Sequence, residues 1–111
     1  MKLNQVKLGS QGLIIPNIGL GCMGMTGFGD ADMYGKTDEK EAIATIHRSL
    51  ELGGNFLDTA DLYGPFTNEQ LIAKAIEGKR EQYIIATKFG WEIDDNDQVT
   101  WKINGTKDYV K

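Results

Sequence analysis

The repeated order of helix, glycine and short apolar strand is the feature that most constrains the fold. Residues 38–54 carry apolar side chains at Ile43, Ile46 and Leu50, the spacing of an amphipathic helix, and Gly53-Gly54 ends that helix before a strand. Residues 67–78 repeat the pattern, and YIIAT at 83–87 follows. YIIAT does not alternate apolar with polar residues, which predicts that both its faces are covered. The sequence therefore predicts an α/β fold with parallel strands joined by helical crossovers.

The segments around these two cycles have weaker signals. Asp38 with Glu41, and Thr67 with Gln70, have the spacing of helix N-terminal caps. Residues 1–16 are predicted to form a leading β-hairpin closed by the turn residues 9–12, and 18–21 a brief strand. A long glycine-containing loop is predicted over 22–37, a polar loop over 91–105, and a helix entrance from 106. The length is that of one domain, and we expect a single domain over residues 1–111.

Composition and charge exclude several classes of function. The formal net charge of -4 and scattered basic residues are not those of a nucleic-acid-binding protein. No stretch approaches the ~20 apolar residues of a membrane span, and the first residues do not resemble a secretory signal, so we expect a cytoplasmic protein. The single cysteine, Cys22, allows no internal disulfide, and with one histidine, His47, we expect no metal site.

The stretch from Gly19 to Gly24 matches the pattern G-x-G-x-x-G of dinucleotide-binding loops. That motif works when a helix opens at the third glycine, so that the helix N-terminus faces the pyrophosphate. Here the predicted helix begins only after Thr37. A flexible glycine-rich loop is therefore the favoured interpretation.

Polar residues follow three predicted strands at their carboxyl ends, where parallel α/β proteins gather catalytic groups. They are Gly21-Cys22-Met23, Asp58 with the nearby Tyr63, and Lys88. If the second and third strands are adjacent, about 4.8 Å apart, Asp58 and Lys88 can form an ion pair beside Tyr63. A nearby ammonium favours phenolate and lowers the pKa of a phenol from about 10, which makes Tyr63 a candidate general acid. Spacing alone leaves open a structural ion pair and an exposed aromatic residue.

Three other residues with polar or aromatic side chains are not assigned a catalytic role. Asp61 is expected to be a solvated loop residue. His47 follows Ile43 by four positions on the apolar stripe of its helix, so we expect a half-buried packing residue. Trp91 either walls a pocket or covers the core, and the sequence does not separate the two.

Taken together, IGLGCMGMTGFG, IATIHRSLELGGNFLDTADLYGPFTNEQLI and YIIATKFG resemble the first part of an aldo-keto reductase. Such enzymes are (β/α)₈ barrels that reduce aldehydes and ketones with NADPH. The resemblance implies that Tyr63 is the proton donor and that Lys88 and Asp58 tune it. It further implies that Gly21, Cys22 and Met23, with Asp58, form part of the nicotinamide-ribose site.

The resemblance also sets limits on what this chain does alone. A closed barrel of this type takes about 250 residues, whereas three barrel strands and two complete helices are predicted here. The histidine that follows the fourth strand in the family would lie beyond Lys111. We therefore expect an incomplete barrel that is inactive or nearly so by itself, and self-association through exposed strand edges.

Two other functions compete with a carbonyl reductase segment. One is a non-catalytic interaction or scaffold module that pairs through its strand edges, which a discrete soluble oligomer without NADPH binding would indicate. The other is a small nucleotide-binding α/β domain, which a titration with NADPH against ATP would test.

Overall fold

A computed structural model describes residues 2–27 and 35–111 of the 111-residue chain. Within these ranges the order of elements is two antiparallel strands, then parallel strands with helical crossovers, then a second antiparallel pair. The bounds are β1 Gln5–Leu8, β2 Leu13–Pro16, β3 Leu20–Gly21, α1 Glu39–Glu51, β4 Phe56–Asp58, α2 Thr67–Ala75, β5 Ile84–Ala86, β6 Trp91–Ile93, β7 Val99–Ile103 and α3 Lys107–Val110, with short 3₁₀ helices at Met23–Met25 and Arg80–Gln82.

The predicted parallel sheet is confirmed. It has the order β3-β4-β5, and Asp58 at the end of β4 is in register with Gly21 on one side and Ala86 on the other. The ends of the strands therefore lie side by side. All three residues of β5 are half-buried instead of covered, because β5 is an edge strand among the described residues.

The first crossover helix forms as predicted. The Asp38 side chain accepts a hydrogen bond from the backbone of Glu41 at 3.0 Å, which satisfies one of the unpaired N–H groups of the first turn of α1. Gly53 has φ of 85°, a left-handed conformation that glycine adopts without strain, and it ends the helix before β4.

The predicted capping box of α2 is wrong. Thr67 is the first helical residue, and the cap position is Phe66, which has φ of 62° and makes no side-chain capping bond. The chain reaches this conformation through a turn in which the N–H of Phe66 donates to the carbonyl of Asp61 at 2.8 Å. The turn, more than a side-chain cap, thus fixes where α2 begins.

The main core lies between the three-stranded sheet and the two crossover helices. Ile46 of α1 and Leu57 of β4 are fully buried, and burial of side chains this large stabilises the fold by about 1.5–3 kcal/mol each. His47 is half-buried, as predicted, and its Nε2 lies 2.6 Å from the carbonyl oxygen of Ala75, joining the two helices. The core cluster comprises Cys22, Ile46, Leu57, Ile72, Ala75, Ile76 and Tyr83.

Two antiparallel hairpins flank this unit. The leading hairpin, β1-β2, is confirmed, with Val6 opposite Ile15. The prediction of a structureless loop after Trp91 is wrong, since β6 and β7 form a second hairpin with an irregular register. The glycine-rich loop predicted over 22–37 falls partly outside the described residues, and its beginning is the 3₁₀ helix Met23–Met25. No helix of the described ranges is long and apolar enough to cross a membrane.

Candidate active site

Lys88 is the centre of a polar cluster at the carboxyl ends of β4 and β5. Its ammonium forms an ion pair and hydrogen bond with Asp58, and donates a second hydrogen bond to the backbone carbonyl of Thr59 at 2.9 Å. The same nitrogen lies 5.2 Å from the centre of the Tyr63 ring. The structure thus brings together the three residues that sequence analysis selected as catalytic.

The register of the sheet explains this convergence. Asp58 ends β4 and lies beside Ala86, and the following residues continue the pairing, since the N–H of Thr59 donates to the carbonyl of Ala86 at 2.8 Å. The N–H of Asp61 then donates to the carbonyl of Lys88 at 3.1 Å. The loop that carries Tyr63 is therefore tied by backbone bonds to the segment that carries Lys88.

The surroundings keep Lys88 charged. Partial burial acts to lower its pKa, but hydrogen bonds with Asp58 and Tyr63 and the charge of Asp58 outweigh burial, so the pKa of Lys88 stands above its ordinary value. Because both side chains of the ion pair are about half exposed, at 52% and 51%, the pair adds little to stability. Its importance is the fixed position of an ammonium beside a phenol.

This cluster borders a cavity of about 270 Å³. Tyr63 and Lys88 are its polar groups together with Asp61, and Trp91 of β6 forms part of its wall. The structure therefore answers the question that the sequence left open for Trp91: it lines a pocket. The remaining lining residues are Met23, Ala60, Leu62 and Phe89.

A cavity of about 350 Å³ between α2 and β5 is larger but contains none of the three candidate residues. Its walls include Ile72, Ile76 and Ile85, and its position follows from the exposed side of the edge strand β5. The smaller cavity is the candidate site, because it holds the ammonium and the phenol.

Asp61 differs from its prediction as a solvated residue. It is half-buried at the cavity, and burial raises the pKa of its carboxyl group, opposed by a hydrogen bond from the backbone of Leu62. Its backbone bond to Lys88 draws the residue inward, and this long-range contact has no signature in the local sequence.

The residues predicted to hold a cofactor surround the end of β3. We call the carboxyl ends of β3, β4 and β5, with the loops that follow them, the rim. A Cβ added at Gly21 would meet no atom within 4 Å, so this part of the rim is open beside Asp58. Met23 lines the cavity. Cys22 is fully buried, its N–H donates to the carbonyl of Asp58 at 2.9 Å, and burial, followed by the charge of Asp58, raises its thiol pKa to about 11. Cys22 is therefore buried beneath the strand ends, whereas Gly21 is exposed and Met23 is half-buried at the cavity.

Gly19, the first glycine of the G-x-G-x-x-G match, has a packing role. A Cβ at this position would lie 2.8 Å from the Phe56 ring, closer than real Cβ contacts allow. The element that follows is the 3₁₀ helix Met23–Met25, and no α-helix opens at Gly24. Within the described part of this loop, Gly24 therefore does not provide the helix N-terminus that a dinucleotide-binding loop of this type requires.

Asn68 is a buried residue of the site that sequence analysis missed. It is fully buried on α2, and its amide group donates to the carbonyl of Cys22 at 2.7 Å and to the Thr26 hydroxyl at 2.9 Å. Its oxygen accepts a hydrogen bond of 2.6 Å from the Thr59 hydroxyl. One side chain thus joins the loops that follow β3 and β4. An asparagine in the first turn of a helix reads as a helix-start residue, so the sequence offered no signal for this role.

Among the described residues, no group of three or more His, Cys, Asp or Glu side chains lies close enough to hold a metal ion.

The fold and the cluster define one class of protein: an α/β segment of parallel strands whose polar residues meet at the strand carboxyl ends. The sequence matches the profile of the aldo/keto reductase family over residues 17–111. The chain belongs to this family, which confirms the predicted resemblance and assigns it by family to the oxidoreductases.

Two curated relatives agree with this membership. The chain is 37% identical over 105 residues to the uncharacterized oxidoreductase YqkF of Bacillus subtilis, covering 95% of this chain and 31% of that protein. It is 39% identical over 111 residues to the probable aldo-keto reductase 1 of Glycine max, covering 99% of this chain and 30% of that protein. The chain therefore spans about a third of the length of these relatives.

Solved structures give the same result for the fold. The aldo-keto reductase AKR11C1 of Bacillus halodurans, in its holo form, superposes with a TM-score of 0.80 and 35% identity, covering 97% of this chain and 33% of that one. The predicted fold class, an incomplete part of a (β/α)₈ barrel, is confirmed: the described residues contain a three-stranded parallel sheet and no closed barrel.

Proposed function

We propose that this chain supplies the proton-donating part of an active site that reduces aldehydes and ketones to alcohols with NADPH. The observation that carries the proposal is the position of the Lys88 ammonium, paired with Asp58 and in contact with the Tyr63 ring at the edge of a cavity. Family membership supports the reaction class, and the holo form of the Bacillus halodurans relative supports a nucleotide cofactor.

Each side chain of the cluster has a distinct task in this reaction. The Tyr63 hydroxyl donates its proton to the carbonyl oxygen of the substrate as that oxygen gains negative charge. Lys88 stabilises the phenolate that remains, since a nearby cation favours the ionised form. Asp58 accepts a hydrogen bond from Lys88 and so holds the ammonium in place. After the reaction, solvent returns a proton to Tyr63.

The rim fits part of a nicotinamide nucleotide. Gly21 leaves space beside β4, and Asp58, whose side chain is 51% exposed, has acceptor positions beyond the one that Lys88 uses. Ribose hydroxyl groups are donors that match those positions. The chemistry supplied by a bound nicotinamide is hydride transfer to the carbonyl carbon, which balances the proton from Tyr63 to give an alcohol.

We further propose that the segment alone does not sustain turnover, because affinity for a large cofactor is distributed over many contacts and this chain spans only a third of its relatives. The test therefore uses a chimera in which residues 1–111 replace the matching segment of the Bacillus halodurans reductase. NADPH oxidation with 4-nitroacetophenone measures activity, and the isolated chain serves as the comparison.

In this chimera Tyr63→Phe should lower kcat by at least about 100-fold, the usual contribution of a general acid, and leave NADPH affinity unchanged. Tyr83→Phe is the matched control, because it removes a buried hydroxyl with no hydrogen-bond partner among residues 2–27 and 35–111. Turnover by Tyr63→Phe equal to that of the control would refute the proposal.

A non-catalytic interaction module is the second candidate, and the exposed edge of β5 beside the apolar cavity of about 350 Å³ favours it. Sedimentation velocity of the isolated chain, together with an NADPH titration, separates the two functions. The interaction module would be supported if the isolated chain formed a discrete oligomer and the chimera were inactive and did not bind NADPH.

A further inference from the structure

The β6-β7 hairpin supplies an aromatic wall to the cavity at Tyr63. Trp91 lines the cavity and is 40% exposed, and its ring packs edge-on against Trp101 with centroids 5.9 Å apart and planes at 70°. An apolar group of a substrate that enters this cavity meets Trp91. The position of the hairpin therefore sets the width of the cavity at that wall.

The strand pairing of the hairpin does not by itself fix Trp91. Trp91 pairs with Ile103 and Ile93 with Val99, so the register shifts between them. Trp101, on the strand opposite this shift, has φ of 62°, a left-handed conformation that is uncommon for a bulky residue. Because an isolated two-stranded hairpin is only marginally stable in water, an outside contact must hold this one.

Tyr109 of α3 makes that contact at the irregular position. Its hydroxyl accepts a hydrogen bond of 2.7 Å from the N–H of Ile93 and donates one of 3.0 Å to the carbonyl of Trp91. One phenol thus joins the two backbone groups that flank Glu92 on β6. Ile93 is buried, so its N–H requires such a partner.

We propose that Tyr109 is a positioning residue for substrate binding: through the backbone of β6 it holds Trp91 against the cavity, and so determines affinity for apolar carbonyl compounds. Tyr109 does not line the cavity, so it has no role in the proton transfer proposed for Tyr63. The proposal rests on the proposed function in so far as the cavity receives the substrate.

Binding to the isolated chain tests the proposal without activity. The chain has two tryptophans, Trp91 and Trp101, both on this hairpin, so a ¹⁵N spectrum gives two indole signals that report its geometry. The probe is 4-nitroacetophenone, an aromatic ketone. We expect it to shift the Trp91 signal, and Tyr109→Phe to raise the Kd about fivefold, the equivalent of one net hydrogen bond. The matched control Tyr83→Phe should leave the Kd unchanged.

The chimera separates positioning from catalysis. There Tyr109→Phe should raise KM for 4-nitroacetophenone about fivefold at unchanged kcat and NADPH affinity, and in a Trp91→Ala background the same change should have little further effect. Absence of ketone binding to the chain, an unchanged Kd in Tyr109→Phe, or a fall in kcat without a rise in KM would each overturn the proposal. Failure of the proposed function would appear differently, because the Tyr63→Phe chimera would then retain its turnover.

Discussion

The rim of the parallel strands and the β6-β7 hairpin border the same cavity, yet they are held in different ways. The rim depends on Asn68, a fully buried side chain whose hydrogen bonds reach two loops. The hairpin depends on Glu92 and Tyr109, both partly exposed, at its surface. Buried polar networks are costly to break, whereas partly exposed hydrogen bonds contribute less to rigidity because water competes for them. The rim should therefore be rigid and the hairpin more adjustable, which suits the proton donor Tyr63 and the substrate-contacting wall that we propose.

The largest expected effect on stability comes from Asn68→Asp. The substitution keeps the size of the side chain but places an acceptor against the carbonyl of Cys22, so either a buried charge or an unpaired group results. We expect a loss of about 3 kcal/mol or more in the free energy of unfolding, measured by urea denaturation.

Gln70→Glu is the matched control for this prediction, because it makes the same amide-to-carboxylate change at an exposed position of the same helix. It should alter the free energy of unfolding by no more than about 0.5 kcal/mol. If the two substitutions changed the free energy of unfolding equally, the hydrogen bonds of Asn68 would not make the rim more rigid than other parts of the molecule.

The sequence predicted the parts of the molecule whose signals are local or periodic. The apolar stripe of α1, its Asp38 cap and its end before Gly53 all followed from spacing and residue type. The meeting of Asp58 with Lys88 followed from one added rule, that parallel strands end at a common edge.

The missed features depend on contacts between distant residues. Asn68 bonds to Cys22, 46 positions earlier in the chain, and to Thr59, 9 positions earlier. Its neighbours in the sequence therefore give no sign of its burial. The β6-β7 hairpin is different, since WEI and VTWKI both alternate apolar with polar residues around the turn residues DDND. That alternation was a usable signal, and the overall polarity of the segment concealed it.

Stability at alkaline pH should show whether solvent reaches the buried thiol of Cys22 beneath the strand ends. Burial, with the charge of Asp58, raises the pKa of Cys22 from 9.0 to about 11, so the folded thiol stays neutral where the unfolded thiol ionises. The unfolded state then binds fewer protons, and the stabilisation present below pH 9 is lost as the pH rises from 9 to 11. The loss is about 2–3 kcal/mol.

Urea denaturation of the wild type and Cys22→Ala at several values between pH 8 and 11 measures this contribution. The pKa of Lys88 is also raised, so both proteins should lose stability at the alkaline end, but the decline should be shallower in Cys22→Ala. Parallel pH profiles of the two proteins would mean that solvent reaches the thiol in the folded chain.

The smallest expected effect is on the hairpin, from Glu92→Ala. The Glu92 carboxylate accepts hydrogen bonds from Asn104 at 2.8 Å and Thr100 at 3.2 Å, and both contacts are only partly buried. We expect a loss of about 1 kcal/mol or less that is confined to the hairpin.

Two spectroscopic signals separate the hairpin from the rest of the molecule. Tryptophan fluorescence reports only the hairpin, and far-UV circular dichroism is dominated by the helices. The urea midpoint should therefore fall more in fluorescence than in dichroism. Asp95→Ala, at an exposed turn position of the same hairpin, should shift neither midpoint. If Glu92→Ala lowered both midpoints equally, the hairpin and the rim would unfold as one unit, and the adjustable wall inferred from their different contacts would be wrong.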